Sequence, residues 1–365
     1  MLLHGYIGAR LLPDLALNAA GWTIGVTLLV LSCVLMPVSM MTRSIRSQPL
    51  ADRIAWAGLV MMGFFSSLLV LTLLRDVVLL VVAVFSSTDA AGMVRVSAAF
   101  VVALAVLATV IGFVNARRRA RIVDVDVPIE NLPAALHGFS IVQISDVHVG
   151  PTIKRGYVRA IVDAVNPLQA DVIAITGDLV DGSVRQLGAD VQPLADLTAR
   201  HGVYFVTGNH EYYSGARAWT EELSRLGLRV LSNEHVIVTR NGASLVMAGV
   251  TDYSAHHFDP RQRSDPALAL QGAPLDAVKI LLAHQPRSAP AAATAGFDLQ
   301  LSGHTHGGQF WPWNLFVPLQ QPFTAGLHRL ERLWVYVSRG TGYWGPPKRF
   351  GAPSEITRIR LVARS

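Results

Sequence analysis

Hydrophobic and polar positions follow two regimes along this chain. Residues 15–42, 54–74 and 96–116 contain no Asp, Glu, Lys or Arg, and each run is long enough for a helix of about 20 residues to cross a hydrocarbon core. The pattern predicts three retained spans, roughly 15–41, 54–86 and 96–116, within a membrane domain over 1–121. Arg75 and Asp76 interrupt after the second run. The uncharged stretch 77–88 is too short to cross alone, and reads as the outer extension of a long second helix or as a re-entrant piece. A cleavable signal peptide has a single short apolar region, whereas this pattern repeats. Residues 1–12 read as the remnant of a further span.

From residue 122 to 365 the pattern changes. Short β-rich runs alternate with helical spacing such as Ile153, Tyr157, Ala160, Ile161 and Ala164, as expected of an α/β layered domain. Polar residues gather just beyond the apolar runs: IVQI then SDVH, VIAI then TGD, VYFV then TGNH, KILLA then HQP, LQL then SGHTH. In α/β sheets, binding groups collect beyond the carboxyl ends of strands. Five such ends therefore point to one shared site.

Charge separates the two parts. Residues 1–121 carry ten Arg and four Asp, a net +6, which is the whole excess of the chain; the remaining 21 basic and 21 acidic residues cancel. A nucleic-acid domain should carry its basic excess on the folded portion, so nucleic acid is not an expected partner. Arg43, Arg46 and Arg53 follow the first run, and Arg117, Arg118, Arg119 and Arg121 follow the third. Both clusters on one side predict an outside N-terminus and a cytoplasmic domain after 121. The single Cys33 excludes a disulfide framework and a thiolate metal site.

The strand-end residues have the chemistry of metal ligands. Asp146 and His148 are two apart, as are His304 and His306, so each pair leaves one face of an extended segment. Asp178 and Asn209 each follow a glycine, and His284 precedes Gln285 and Pro286. Two Asp, one Asn and four His exceed the needs of one tetrahedral ion, and mixed oxygen and imidazole donors suit Mn, Fe or Zn rather than Ca or Mg. Two ions about 3.5–4 Å apart can clamp a phosphoryl group and turn a bridging water into hydroxide near neutral pH. Phosphoester hydrolysis is the chemistry this set predicts. His256 and His257, in a polar loop, read as solvated surface or as part of a lid.

The ordered set Asp146-x-His148, Gly177-Asp178, Gly208-Asn209-His210-Glu211, His284 and Gly303-His304-x-His306 resembles the calcineurin-like metallophosphoesterase family over residues 138–362. The apolar N-terminal runs and the ending SRGTGYWGPPKRFGAPSEI resemble its membrane-anchored bacterial branch, which implies a bacterial inner membrane. The resemblance implies a four-layer α/β/β/α sandwich with two mixed sheets. It also implies that Asp146, His148 and His306 hold one ion, that Asn209, His284 and His304 hold the other, and that Asp178 bridges them. His210 would face the phosphoryl group as the catalytic residue.

Tethering to a membrane makes a lipid-borne phosphate or pyrophosphate the leading substrate. Phe310, Trp311, Trp313, Phe316 and Phe323 either pack beneath a Pro-rich loop or meet lipid, and Arg339 and Arg349 are candidates to clamp a second phosphate. The alternatives are a nuclease or cyclic-nucleotide-type phosphodiesterase on the same metals, and a membrane sensor or scaffold that binds a ligand without turning it over.

Overall fold

A computed structural model describes residues 1–42, 45, 47–85 and 91–363. Arg43, Arg46 and residues 86–90, on which part of the topology reading rests, lie outside the described residues. The chain divides into two compact units: Met1–Arg117 with Gly345–Phe350, and Arg118–Trp344 with Gly351–Ser365.

The first unit holds four helices: α1 (Leu2–Leu11), α2 (Ala19–Met40), α3 (Gln48–Phe85) and α4 (Ala91–Arg117). Among the described residues, α2, α3 and α4 are long and apolar enough to cross a membrane. Residues 77–85 are the unbroken continuation of α3, so Arg75 and Asp76 do not end that helix. Both side chains are paired within the unit. Arg75 donates to Asp14 at 2.5 Å and to the Ser97 hydroxyl at 2.9 Å, while Asp76 accepts from Arg10 at 2.8 Å and from Tyr6 at 2.7 Å. Pairing of this kind is what lets ionisable groups sit among apolar helices. Segment 345–350 joins the same unit through Lys348, whose amine donates to the Gly63 carbonyl at 2.8 Å and to Ser67 at 2.5 Å. A Cβ at Gly112 would strike the Lys348 stem, so a small residue there is what lets α4 accept the lysine.

The second unit runs β1 (Arg121–Ile129), β2 (Ser140–Ile144), α5 (Arg155–Val165), β3 (Val172–Thr176), α6 (Val184–Val191), β4 (Val203–Val206), α7 (Asn209–Ser214), α8 (Ala216–Arg225) and β5 (Arg229–Val230). It continues with β6 (Glu234–Arg240), β7 (Ala243–Gly249), α9 (Pro266–Ala269), β8 (Val278–Leu282), α10 (Ala289–Ala295), β9 (Leu299–Ser302), β10 (Gly326–Leu330), β11 (Leu333–Val337) and β12 (Glu355–Ala363). Two six-stranded sheets result, in the orders β1-β12-β2-β3-β4-β5 and β10-β11-β9-β8-β7-β6. Both are mixed. β12 is antiparallel to β2 in the first, β6 to β7 and β10 to β11 in the second, and the central strands of each run parallel.

The sheets face one another. Ile141, Val172, Ala174 and Val206 from the first share one buried cluster with Met247, Ile280, Leu282 and Leu301 from the second. The other face of the second sheet is covered by Ala289 and Ala292 of α10 against Leu281 and Val335. Helix α5 buries Val158, Ile161, Val162 and Val165, a stripe at helical spacing that gives it one apolar face. The helix, sheet, sheet, helix layering expected from the resemblance is therefore what the chain adopts.

Candidate metal centre

The five strand ends come from both sheets. β2 delivers Asp146 and His148, β3 delivers Asp178, and β4 leads into α7 with Asn209 at its first turn. β8 and β9 of the opposite sheet deliver His284, and His304 with His306. Gln143 holds the two sheets together just beneath: its amide, with no exposed surface, donates to the Ser302 carbonyl at 2.9 Å and to the Thr176 hydroxyl at 2.8 Å.

Backbone conformation marks the same residues. Asp146, His148, Asp178, His304 and His306 all have φ between 50° and 70°, a region non-glycine residues seldom adopt. Such strain persists where the surroundings over-determine it. Here it turns the chain after β2, β3 and β9.

Among the described residues three clusters of metal-type donors form, one of them His148, Asp181 and His210; the other two contain the strand-end Asp and His ligands. In the first, the Nε2 atoms of His148 and His306 are 3.0 Å apart, and Asp146 Oδ1 lies 3.6 Å from His306 Nε2. In the second, His284 Nε2 lies 3.2 Å from His304 Nδ1 and 3.1 Å from Asp178 Oδ2. That carboxylate oxygen is also 3.9 Å from His148 Nε2 and 3.9 Å from His210 Nε2, so it stands between the groups. Within each triad, Asp146-His148-His306 and Asp178-His284-His304, the donor atoms lie within 4.8 Å of one another.

The donor set fits metal ions. Asn209 Oδ1 is buried without a hydrogen-bond partner, a costly state for an amide oxygen that no other group satisfies. The Nε2 atoms of His148 and His306 face each other at 3.0 Å beside the Asp146 carboxylate. His284 donates from Nδ1 to the Thr176 carbonyl at 2.8 Å, which turns Nε2 toward Asp178 Oδ2 and His304 Nδ1, the orientation a ligand needs. Burial, reinforced by His284, pushes the His304 pKa down to about 3, so this imidazole is neutral, the form that binds metal. Burial alone would raise the Asp178 pKa, but His284, His210 and His148 outweigh it and hold the carboxyl well below its usual range.

Further residues complete the site. Asp181, three positions after Asp178, accepts from His210 Nδ1 at 2.5 Å and lies 3.2 Å from His148 Nδ1. Burial lowers the His210 pKa, yet Asp178 and Asp181 together raise it to about 9. Glu211 is fully buried and accepts backbone N–H groups from Gly208 at 2.7 Å, Asp178 at 3.0 Å and Leu179 at 2.8 Å. It therefore fastens the loop after β3 to the start of α7. In the sequence Asp181 looks like a turn residue of TGDLVDG, and Glu211 looks like a favourable charge in a first helical turn. Their partners come from other strands, which spacing along the chain does not reveal.

The glycines make room for these contacts. A Cβ at Gly208 would collide with the Asp178 carboxylate, and one at Gly303 with the Ser145 hydroxyl and the Asp146 carboxylate. Gly303→Ala is accordingly expected to displace Asp146, to lower bound metal and to cost about 1–3 kcal/mol of stability, as overpacking does. Metal analysis and thermal unfolding read the two effects; unchanged values for both would contradict the geometry.

The remaining sequence candidates divide. Arg339 pairs with Glu355 at 2.9 Å, and a Cβ on Gly307 would lie 3.1 Å from its stem, so it sits beside His306. Arg349 is almost completely buried and is grouped with the helical unit, its N–H donating to the Gly112 carbonyl at 2.8 Å. The rings of His256 and His257 lie 4.1 Å apart, tilted by 51°, and belong to none of the ligand groups. Phe310 is buried and Phe323 packs against the second sheet, whereas Trp311, Trp313 and Phe316 are exposed.

Comparison with known proteins identifies the family of this domain. Residues 139–308, which include every strand-end ligand, match the family described as calcineurin-like phosphoesterase. A Danio rerio protein named transmembrane protein with metallophosphoesterase domain is 41% identical over 280 residues, 74% of this chain and 64% of that one. The chain thus spans a little under two thirds of that relative's length. An uncharacterized metallophosphoesterase of Campylobacter jejuni is 34% identical over 301 residues, 80% of this chain and 78% of its own. Among solved structures, the NAD nucleotidase of Haemophilus influenzae superposes with a TM-score of 0.41 at 19% identity, covering 56% of this chain and 50% of that one. From the family match over residues 139–308 and a metallophosphoesterase relative 34% identical over most of both chains, the chain belongs to the calcineurin-like metallophosphoesterase family.

Proposed function

We propose that the chain is a membrane-anchored phosphoester hydrolase with a two-metal centre. The observation that carries this is the position of Asp178 Oδ2, within 3.9 Å of imidazoles from both ligand groups and of His210. Asp146, His148 and His306 would hold one ion, Asn209, His284 and His304 the second, with Asp178 shared. Divalent Mn, Fe or Zn held there would supply an activated water and neutralise phosphoryl oxygens.

The protein groups divide the remaining work. His210, its Nδ1 held by Asp181, turns its Nε2 toward Asp178 and can give a proton to the leaving oxygen. Glu211 keeps Asp178 and the start of α7 in register. Arg339, beside His306, is the candidate contact for a second phosphate oxygen, while Arg349 is assigned no such contact. Helices α2, α3 and α4 would cross the inner membrane of a bacterium, with the phosphoesterase domain in the cytoplasm. A phosphate or pyrophosphate carried on lipid is the substrate class we assign.

Purified full-length protein tests this. Hydrolysis of a chromogenic phosphodiester should depend on added manganese, and phosphate release from lipid-linked substrates in detergent should exceed that from soluble monoesters, diesters and nucleotides. Metal-loaded protein that turns over none of them is a binding module instead. A preference for soluble nucleotides would remove the lipid assignment and leave the hydrolase.

A further inference from the structure

A segment beside the ligand histidines carries an apolar surface that the chemistry above does not use. From Leu299 to His328 the chain contains no Asp, Glu, Lys or Arg. After His306 it folds into two tight turns, Trp313–Leu315 and Val317–Leu319. Trp311, Trp313, Leu315, Phe316 and Leu319 face outward, Leu315 at 63% and Leu319 at 80% exposure. Five large apolar side chains on one short uncharged segment are more than the scattered hydrophobic residues any surface carries.

The segment is held firmly in this shape. A Cβ at Gly308 would collide with the Asn314 backbone, so the chain closes tightly on itself directly after His306. The Thr305 hydroxyl donates to the Thr324 carbonyl at 2.5 Å and joins the two roots. Gln321, next in sequence after the turns, is buried and donates to Gln285, the neighbour of His284, at 3.3 Å. Outward apolar side chains on a closed, anchored loop are not waiting to fold inward.

We propose that Trp311, Trp313, Leu315, Phe316 and Leu319 form a membrane-docking patch that enters the interfacial layer of a lipid bilayer. Three features favour lipid as the occupant. The composition is that of an interfacial anchor, with Trp and Phe beside Leu and no charge to desolvate. Arg287 is exposed at its edge, where its Nε donates to the Gln320 carbonyl at 2.6 Å, a cation placed to meet anionic headgroups. The same chain supplies helices able to cross a bilayer, and only three residues separate Arg117, the end of α4, from Arg121, the start of β1. The patch and the ligands His304 and His306 lie on one continuous segment, so docking would hold the centre's mouth next to the surface where lipid headgroups lie. This inference rests on α2, α3 and α4 crossing a bilayer, and its test separates the two.

The experiment uses full-length protein in nanodiscs of phosphatidylcholine and phosphatidylglycerol. With Cys33→Ala as background, single nitroxide labels are placed through Leu319→Cys, Phe316→Cys, Val30→Cys on α2 and Glu221→Cys on α8, and their exposure to oxygen and to a water-soluble nickel complex is measured by power saturation. Labels at 319 and 316 are expected to resemble the label at 30, reached by oxygen and shielded from nickel, and to differ from the label at 221. If 30 reads as bilayer while 319 and 316 read like 221, the patch assignment fails and the anchoring stands. If 30 itself reads as water, anchoring fails and the patch with it. Shielding of 319 from both reagents would mean that protein, such as a second copy, covers the patch, which also overturns the proposal.

Discussion

Asp178→Asn is expected to abolish metal loading and turnover together, lowering kcat/KM by at least about 10³-fold, because a two-metal centre loses both its nucleophile and its charge clamp when the shared ligand goes. The reason lies in how the carboxylate is used. Oδ1 accepts the His210 N–H at 2.9 Å, an arrangement an amide oxygen can keep. Oδ2 faces His284 at 3.1 Å and His148 at 3.9 Å, and there the amide offers N–H groups where an anion was needed. A neutral donor cannot neutralise two cations. Metal analysis should fall from two ions per chain to none, with far-ultraviolet circular dichroism unchanged because the side chain lies beyond the strand ends. Two retained ions with full turnover would remove Asp178 from the centre.

His210→Ala should give the opposite division: metal content unchanged, and kcat reduced by roughly 10²- to 10⁴-fold, the range for removing a general acid. His210 belongs to neither Asp146-His148-His306 nor Asp178-His284-His304; it groups with His148 and Asp181, and its Nδ1 is already committed to Asp181 at 2.5 Å. Its effect should also depend on the leaving group. An ester with an acidic phenol departs without a proton, whereas an alkyl ester needs one, so the variant should lose far more on the alkyl ester. Asp181→Asn keeps the imidazole but loosens its orientation, and should fall between the variant and the unmodified protein. Loss of metal in His210→Ala, or equal losses on both esters, would reassign the residue to ligation.

The seven metal-type residues were legible from the sequence because each follows an apolar run, and a strand end is a local property. Asp146-x-His148 and His304-x-His306 also announce themselves by their spacing. The grouping of these residues came only from the family resemblance and was not legible from spacing. His304 donates its N–H to Asp146 across 158 positions, and Gln143 reaches Ser302 across 159, contacts that exist only once two sheets face each other. Asp181 and Glu211 escaped for the same reason. Alone they are ordinary turn and helix-start residues, and their partners Asp178, Leu179, Gly208 and His210 converge on them through the fold.

The aromatic run after His306 divides along the same line. Its composition allowed both packing beneath a Pro-rich loop, the favoured reading, and lipid contact. The fold buries Phe310 and sets Phe323 against the second sheet while turning Trp311, Trp313 and Phe316 outward.

What the sequence determined by itself were the properties written in short windows: apolar runs long enough to cross a membrane, alternating strands and helices, and ligand types at strand ends. Tertiary structure alone decided which strand ends each sheet contributes, and that Asp178 Oδ2 lies 3.1 Å from His284 and 3.9 Å from His148. It alone placed a buried glutamate to tie the loops. The physical reason is that periodicity and turn chemistry act over a few residues, whereas a metal centre is made of atoms 3–4 Å apart whose positions in the chain differ by tens to hundreds, and only packing of the sheets brings them together.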